Sequence, residues 1–184
     1  MAESKSSAVY QLKITLTDIK PPVWRRVEVK ECSLLKLHKI IQIVMGWDGY
    51  HLWSFAIGGE QFGEDSSGEM DMMSARKTKL SQFVTMGGKK FSYTYDFGDN
   101  WDHVIQVEKV LDADPQVKYP RCVKGSRACP PEDCGGPWGY ADFLKAVQNP
   151  GHKSHEEMVE WVGGSFDPEA FDIEAVNREL AAVR

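Results

Sequence analysis

From Val9 to Leu16, apolar and polar positions alternate: Tyr10, Leu12, Ile14 and Leu16 are separated by Gln11, Lys13 and Thr15. A side-chain period of two belongs to a strand with one buried face. Asp18 to Pro22 reads as a turn confined by Pro21 and Pro22, and Val23 to Val29 gives a second strand, closing a hairpin. The period then lengthens. Ser33 offers an N-cap, Leu34, Leu37, Ile41 and Val44 follow at helical spacing, and Gly46 stops the helix. A third strand is expected over Leu52 to Ile57, with Trp53, Phe55 and Ile57 on one face. Residues 60–79 read as the least ordered internal stretch, and Leu80 to Val84 as a short turn of helix.

The clearest alternation is Phe91, Tyr93, Tyr95 and Phe97 with Ser92, Thr94 and Asp96 between them. A turn at Gly98-Asp99-Asn100 leads to a further strand from Asp102 to Val110. Beyond it the pattern is helical. Tyr140 to Gln148 carries Phe143, Leu144 and Val147, Ser154 with Glu157 has capping-box form, and Asp172 caps a last helix with Val176, Leu180 and Val183. The order predicts an α+β domain: a mainly antiparallel, β-grasp-like sheet packed on one central helix, with a C-terminal helical segment. Residues 1–7 read as a disordered tail. Residues 8–184 read as one domain, with a sheet-and-helix core (8–111), a Cys/Pro/Gly loop (112–137) and helices (138–184).

Composition narrows the function classes. The 184 residues suffice for one self-supporting core, and 42% apolar and 27% charged residues are ordinary for a soluble domain. A net charge of −5 gives no global field to attract nucleic acid or an anionic membrane. No apolar run is long enough to span a bilayer, and Met1 to Ser7 has no signal-peptide core. A cytoplasmic protein is expected, with its thiols reduced.

Two stretches concentrate chemistry. One is Tyr95 to His103. If Asp99-Asn100 were a two-residue loop, Asp96 would face His103 across the hairpin and orient its imidazole. The competing explanation is a strand-end His satisfied by a carboxylate in a turn that favours Asp. The other stretch is Cys122 with Cys129-Pro130-Pro131-Glu132-Asp133-Cys134-Gly135-Gly136, a shaped loop because Pro removes donors and Gly weakens regular structure. The candidate binding residues are Asp96, Asp99, Trp101, His103, Glu132, Asp133 and Tyr140. By ligand count Cys122, Cys129 and Cys134 with His103 complete a tetrahedral set, yet the gaps of seven and five positions are not those of zinc knuckles. No cofactor is expected, with zinc or another divalent metal as the alternative. His38 and His51 read more simply as structural histidines, and Trp24, Trp47, Trp53 and Trp161 as core anchors. No P-loop, G-x-S-x-G, G-x-G-x-x-G or H-E-x-x-H pattern is present.

Four motifs together resemble the plasmid pRiA ORF-3-like family, also labelled insertion-element passenger TnpR-type. They are Leu12-Lys13-Ile14-Thr15-Leu16 running to Pro21-Pro22-Val23-Trp24-Arg25-Arg26; Leu37-His38 through Ile41-Gln42 to Met45-Gly46-Trp47 and His51-Leu52; Tyr95 to His103; and Cys129 to Gly136 with Gly139-Tyr140 and Phe166-Asp167-Pro168. The resemblance implies an association with mobile elements and assigns no activity. A resolvase-like label would call for a serine nucleophile with an arginine cluster, and this chain shows none. The expected function is therefore a non-enzymatic binding module whose partner is a protein or small ligand. A metal-dependent hydrolase or nuclease, with Asp96, Asp99, His103, Glu132 and Asp133 converging on a cation, is the first alternative. A nucleic-acid accessory protein is the second.

Overall fold

The computed structural model describes residues 8–64, 71–85 and 88–183. The expected N-terminal tail and residues 65–70 of the weakly patterned stretch lie outside them. The fold is α+β: an eight-stranded, mostly antiparallel sheet with five helices. In chain order the elements are β1 (Ala8–Leu16), β2 (Trp24–Lys30), α1 (Leu34–Met45), β3 (Trp53–Ile57), β4 (Glu60–Gly63), β5 (Met73–Ser74), α2 (Leu80–Thr85), β6 (Lys90–Tyr95), β7 (Trp101–Asp112), β8 (Arg121–Ser126), α3 (Gly136–Gln148), α4 (His155–Trp161) and α5 (Ile173–Leu180). Across the sheet they run β5-β4-β3-β6-β7-β1-β2-β8, and only β4–β5 is parallel.

The inward residues of β1 (Tyr10, Leu12, Ile14, Leu16) and of β6 and β7 (Tyr93, Tyr95, Trp101, Ile105) join Leu34, Leu37, Ile40, Ile41 and Val44 of α1 in one core. Helix α1 begins where Ser33 Oγ accepts from the Lys36 N–H at 3.2 Å. It ends at Gly46, whose φ of +89° is a left-handed value that an L side chain strains to reach. Arg25 is buried beneath this helix. Its guanidinium donates to the carbonyls of Val44 (2.7 Å), Trp24 (3.0 Å) and Ser126 (2.9 Å) and lies over the Phe171 ring at 4.0 Å. A buried cation is tolerable here because its N–H groups are satisfied.

Two expectations are corrected. Strand β8 lies inside the stretch read as loop. Its sequence, Arg121 to Ser126, buries only Cys122, so no apolar alternation marks it. It forms because the edge of β2 presents unpaired backbone groups, which it takes up from Arg121 to Ser126. The hairpin turn also differs. Its loop is Asp96–Asn100, five residues rather than two, and the opposed pairs are Tyr95–Trp101, Thr94–Asp102 and Tyr93–His103. Asp96 leaves the ladder at φ +56°, its carbonyl accepting from the Asn100 N–H (2.6 Å) and its carboxylate from the Gly98 N–H (2.8 Å). That Asx turn ends β6 two residues early, so Asp96 does not face His103.

Candidate functional site

Three segments meet at the end of the sheet: the loop after α1, the β6–β7 turn and the Cys129–Gly136 loop. Each is tied to the others by polar contacts. The Trp47 indole N–H donates to the Pro130 carbonyl (2.9 Å), and the Asp48 N–H to Glu132 Oε1 (2.8 Å). Tyr95 donates its hydroxyl to Glu132 (3.0 Å), and the Gly135 N–H donates to Asp99 Oδ2 (3.0 Å). Two glycines permit the approach. A Cβ on Gly136 would stand 2.5 Å from the Asp99 carbonyl oxygen, and one on Gly139 would stand 1.9 Å from the Cys134 carbonyl oxygen. Hence the hairpin turn and the cysteine loop lie against one another.

At their junction sits His51. Its Nε2 is 3.0 Å from Asp133 Oδ1, 3.6 Å from Asp96 Oδ2 and 3.6 Å from Glu132 Oε2. Among the described residues, His51, Asp96 and Asp133 form the one group of at least three His, Cys, Asp or Glu side chains whose donor atoms all lie within 4.8 Å of one another. Each side chain is held from outside the group. Asp96 is fixed by its own turn, and its N–H donates to the Leu52 carbonyl at 2.8 Å. Asp133, at φ +55°, accepts from the Tyr50 hydroxyl at 2.9 Å, and Glu132 accepts from Tyr95 and Asp48. The carboxylates raise the neighbouring phenols: the hydrogen bond to Asp133 pushes Tyr50 up to about 12, and burial followed by the Glu132 bond raises Tyr95 as well. The raised phenols keep their protons and so remain donors to the carboxylates.

His51 Nε2 is shielded from solvent and makes no hydrogen bond with any of the three carboxylates, although one oxygen is only 3.0 Å away. Donors about 2.1 Å from a common ion stand roughly 3.0–3.4 Å apart in octahedral or tetrahedral arrangements. The three separations from His51 Nε2, 3.0 to 3.6 Å, span that range, and the donor atoms of His51, Asp96 and Asp133 all lie within 4.8 Å of one another.

The structure divides the residues expected to form a site. Asp96, Asp99, Glu132 and Asp133 all come to this junction. Trp101, His103 and Tyr140 do not; each is at least 98% buried in the interior. The His103 imidazole packs edge-on against Trp47 (5.5 Å) with Nδ1 3.2 Å from the Tyr93 carbonyl, and burial lowers its pKa to about 4. The Trp101 indole N–H, His103 Nε2 and Tyr140 hydroxyl have no hydrogen-bond partner among the described residues. Nor do the cysteines and His103 converge as a ligand set. Cys122 lies on β8, where its thiol approaches the Lys124 carbonyl (3.5 Å), and its backbone N–H donates to Asn177. Burial raises the Cys122 and Cys129 thiols and pushes Cys134 up to about 12. His51 and Tyr50 were not among the expected site residues. A lone His beside a strand has no periodic signature, and the one available hint was its place in a loop, Gly46 to His51, that mixes Gly, Asp and aromatics as the β6–β7 turn does.

A family model described as plasmid pRiA4b ORF-3-like protein matches residues 8–175. The chain belongs to this family. A pRiA4b ORF-3-like chain of this length is 38% identical over 178 residues to uncharacterized protein y4hQ of Sinorhizobium fredii, a match covering 95% of this chain and 91% of the relative. The crystal structure of MM3350, a protein of unknown function from Methanosarcina mazei Go1, is similar at a TM-score of 0.85 and 40% identity, covering 91% of this chain and 97% of that one. No helix among the described residues is long and apolar enough to cross a membrane.

Proposed function

We propose that this pRiA4b ORF-3-like chain is a cytoplasmic binding module that holds a divalent cation between His51, Asp96 and Asp133, with Glu132 beside them. The observation that carries this reading is the position of His51 Nε2. It is shielded, unbonded, and 3.0 to 3.6 Å from oxygens of three carboxylates, each of which also accepts a hydrogen bond from an outside donor. An imidazolium would turn its N–H onto one oxygen, whereas a ligating nitrogen aims its lone pair at the point the oxygens share. Imidazole with carboxylates suits zinc or manganese in preference to soft thiophilic ions. The side chain of Asp133 is 58% exposed, so the ion keeps an open side on which a small ligand or a partner's oxygen can coordinate. The β-grasp-like description of the frame belongs to the same proposal, supported by the order β1–β2–α1–β3 and by the packing of α1 in the core.

A second reading has its own support in that open side: water on the ion would be acidified, making the centre hydrolytic. The two readings share the cation and differ in turnover. Isothermal titration of Zn²⁺ and Mn²⁺ into the chelator-treated protein tests the cation. One ion per chain is expected, with His51→Ala weakening it at least about ten-fold, as loss of an orienting ligand does. No binding, or binding unchanged in His51→Ala, would overturn the proposal. Turnover of a phosphodiester with Mn²⁺, abolished by Asp96→Asn, would favour the hydrolytic reading over the module.

A further inference from the structure

Beside Asp133 the chain forms a second concavity, between α3 and α4, with a volume of about 480 Å³. That is the size of a small-molecule site and small for a protein interface. Phe143 and Met158 supply its apolar lining, and Trp161 forms one wall. The Trp161 ring meets Phe143 edge to face at 5.6 Å and 71°, yet the residue is 46% exposed, so much of the indole is left to solvent. Packing therefore does not account for the whole of this ring. It is held in place by Phe143 and offers aromatic surface to the cleft.

The rim is acidic. Asp133, Asp142 and Glu157 all line it. Against them stand two basic groups. Lys145 is held by Asp142 at 2.7 Å, with both side chains largely in solvent. His152 Nδ1 accepts from the Ser154 N–H at 3.2 Å. Glu157 has no ion-pair partner among the described residues, and Asp133 faces His51 Nε2 at 3.0 Å. An anion entering would be repelled, and a neutral apolar molecule would strip water from the carboxylates without replacing it. A cation carried on an apolar body meets both demands, because its body covers Phe143 and Met158 while its charge lies near the indole and the carboxylates.

We propose that the α3–α4 cleft binds a small organic cation, an ammonium or guanidinium group on an apolar body. The proposal is separate from the metal reading: Asp142, Glu157 and Trp161 take no part in the His51 group, and Asp133 only borders both. The test uses two probes of matched shape, 4-phenylbutylammonium and 4-phenylbutanoate, titrated into the ¹⁵N-labelled protein in a chelating buffer. Amide shifts are followed by two-dimensional NMR. The ammonium should shift amides of α3 and α4 saturably, and the carboxylate should not. Trp161→Leu and the double variant Asp142→Asn/Glu157→Gln should each weaken the ammonium about ten-fold. Both acids are exposed, so the double variant tests charge without disturbing the core. Equal shifts from the two probes, shifts centred away from α3 and α4, absence of saturation, or unchanged affinity in the double variant would overturn the assignment. Because the chelator removes metal, failure of the His51 reading would leave these outcomes unaffected.

Discussion

His38 lies within α1 and His51 in the loop that follows it, and their surroundings are opposite. His38 stacks on Trp53 at 4.0 Å, shares a 2.8 Å hydrogen bond with the Tyr93 hydroxyl, and burial lowers its pKa to about 3. His103 repeats the pattern in the interior behind β6 and β7. His51 is partly exposed, is surrounded by three carboxylates and bonds to none of them. The same side chain is therefore a neutral packing element in one region and a candidate ligand in the other. What separates the two is charge nearby and access to solvent, because desolvation with no counter-charge keeps imidazole neutral, while assembled carboxylates need a cation.

The largest expected effect separates the regions by stability. His103→Ala should cost about 3 kcal/mol in chemical denaturation, since it opens a cavity among Trp47, Tyr93 and Trp101. In metal-free protein, His51→Ala should cost under about 1 kcal/mol, the ordinary range for a surface substitution. Equal costs at the two positions would break the contrast. Next is acid. Both interior histidines have folded pKa values below the unfolded value of about 6.5, so the unfolded chain binds protons first and stability falls as pH drops from about 6.5 towards 4. With both groups titrating, the slope attributable to them is roughly 2–3 kcal/mol per pH unit. Melts of wild type and His103→Phe between pH 7 and 5 check it: the variant should lose about half of the slope, and an unchanged slope would show that His103 is not the group involved. The smallest effect should come from Tyr95→Phe, which removes the donor to Glu132. About 1 kcal/mol is expected for a partly exposed bond of this kind, with cation affinity falling only a few-fold. A larger loss of affinity would make Tyr95 part of the ligand set and sharpen the boundary of the site.

The frame was legible where side-chain period and caps agree. Leu12, Ile14 and Leu16 mark β1, and Ser33 with Gly46 brackets α1, because burial of one face imposes the period and chain ends need capped backbone groups. Strands β4, β5 and β8 were not, since each buries few side chains, so backbone pairing with a neighbouring strand does what hydrophobic patterning does elsewhere. The hairpin register failed for a related reason. Alternation places Tyr93 and Tyr95 on one face, but the position where the turn starts depends on the left-handed backbone at Asp96 and its Asx bond, which alternation does not encode. In the candidate site, Asp96, Asp99, Glu132 and Asp133 stood out because carboxylates gathered in Gly/Pro-rich loops mark binding chemistry more than packing. Trp101, His103 and Tyr140 were misplaced because rings with one polar atom fit equally well in a core or on a binding surface.

One crystallographic measurement addresses the contrast between the two regions most directly. Crystals soaked in Zn²⁺ or Mn²⁺ and measured at the metal's absorption edge should show one anomalous peak about 2.0–2.2 Å from His51 Nε2, with oxygens of Asp96 and Asp133 at similar distances. A peak on Cys129, Cys134 or His103, or none at His51 at millimolar metal, would contradict the assignment of the cation to the acidic junction.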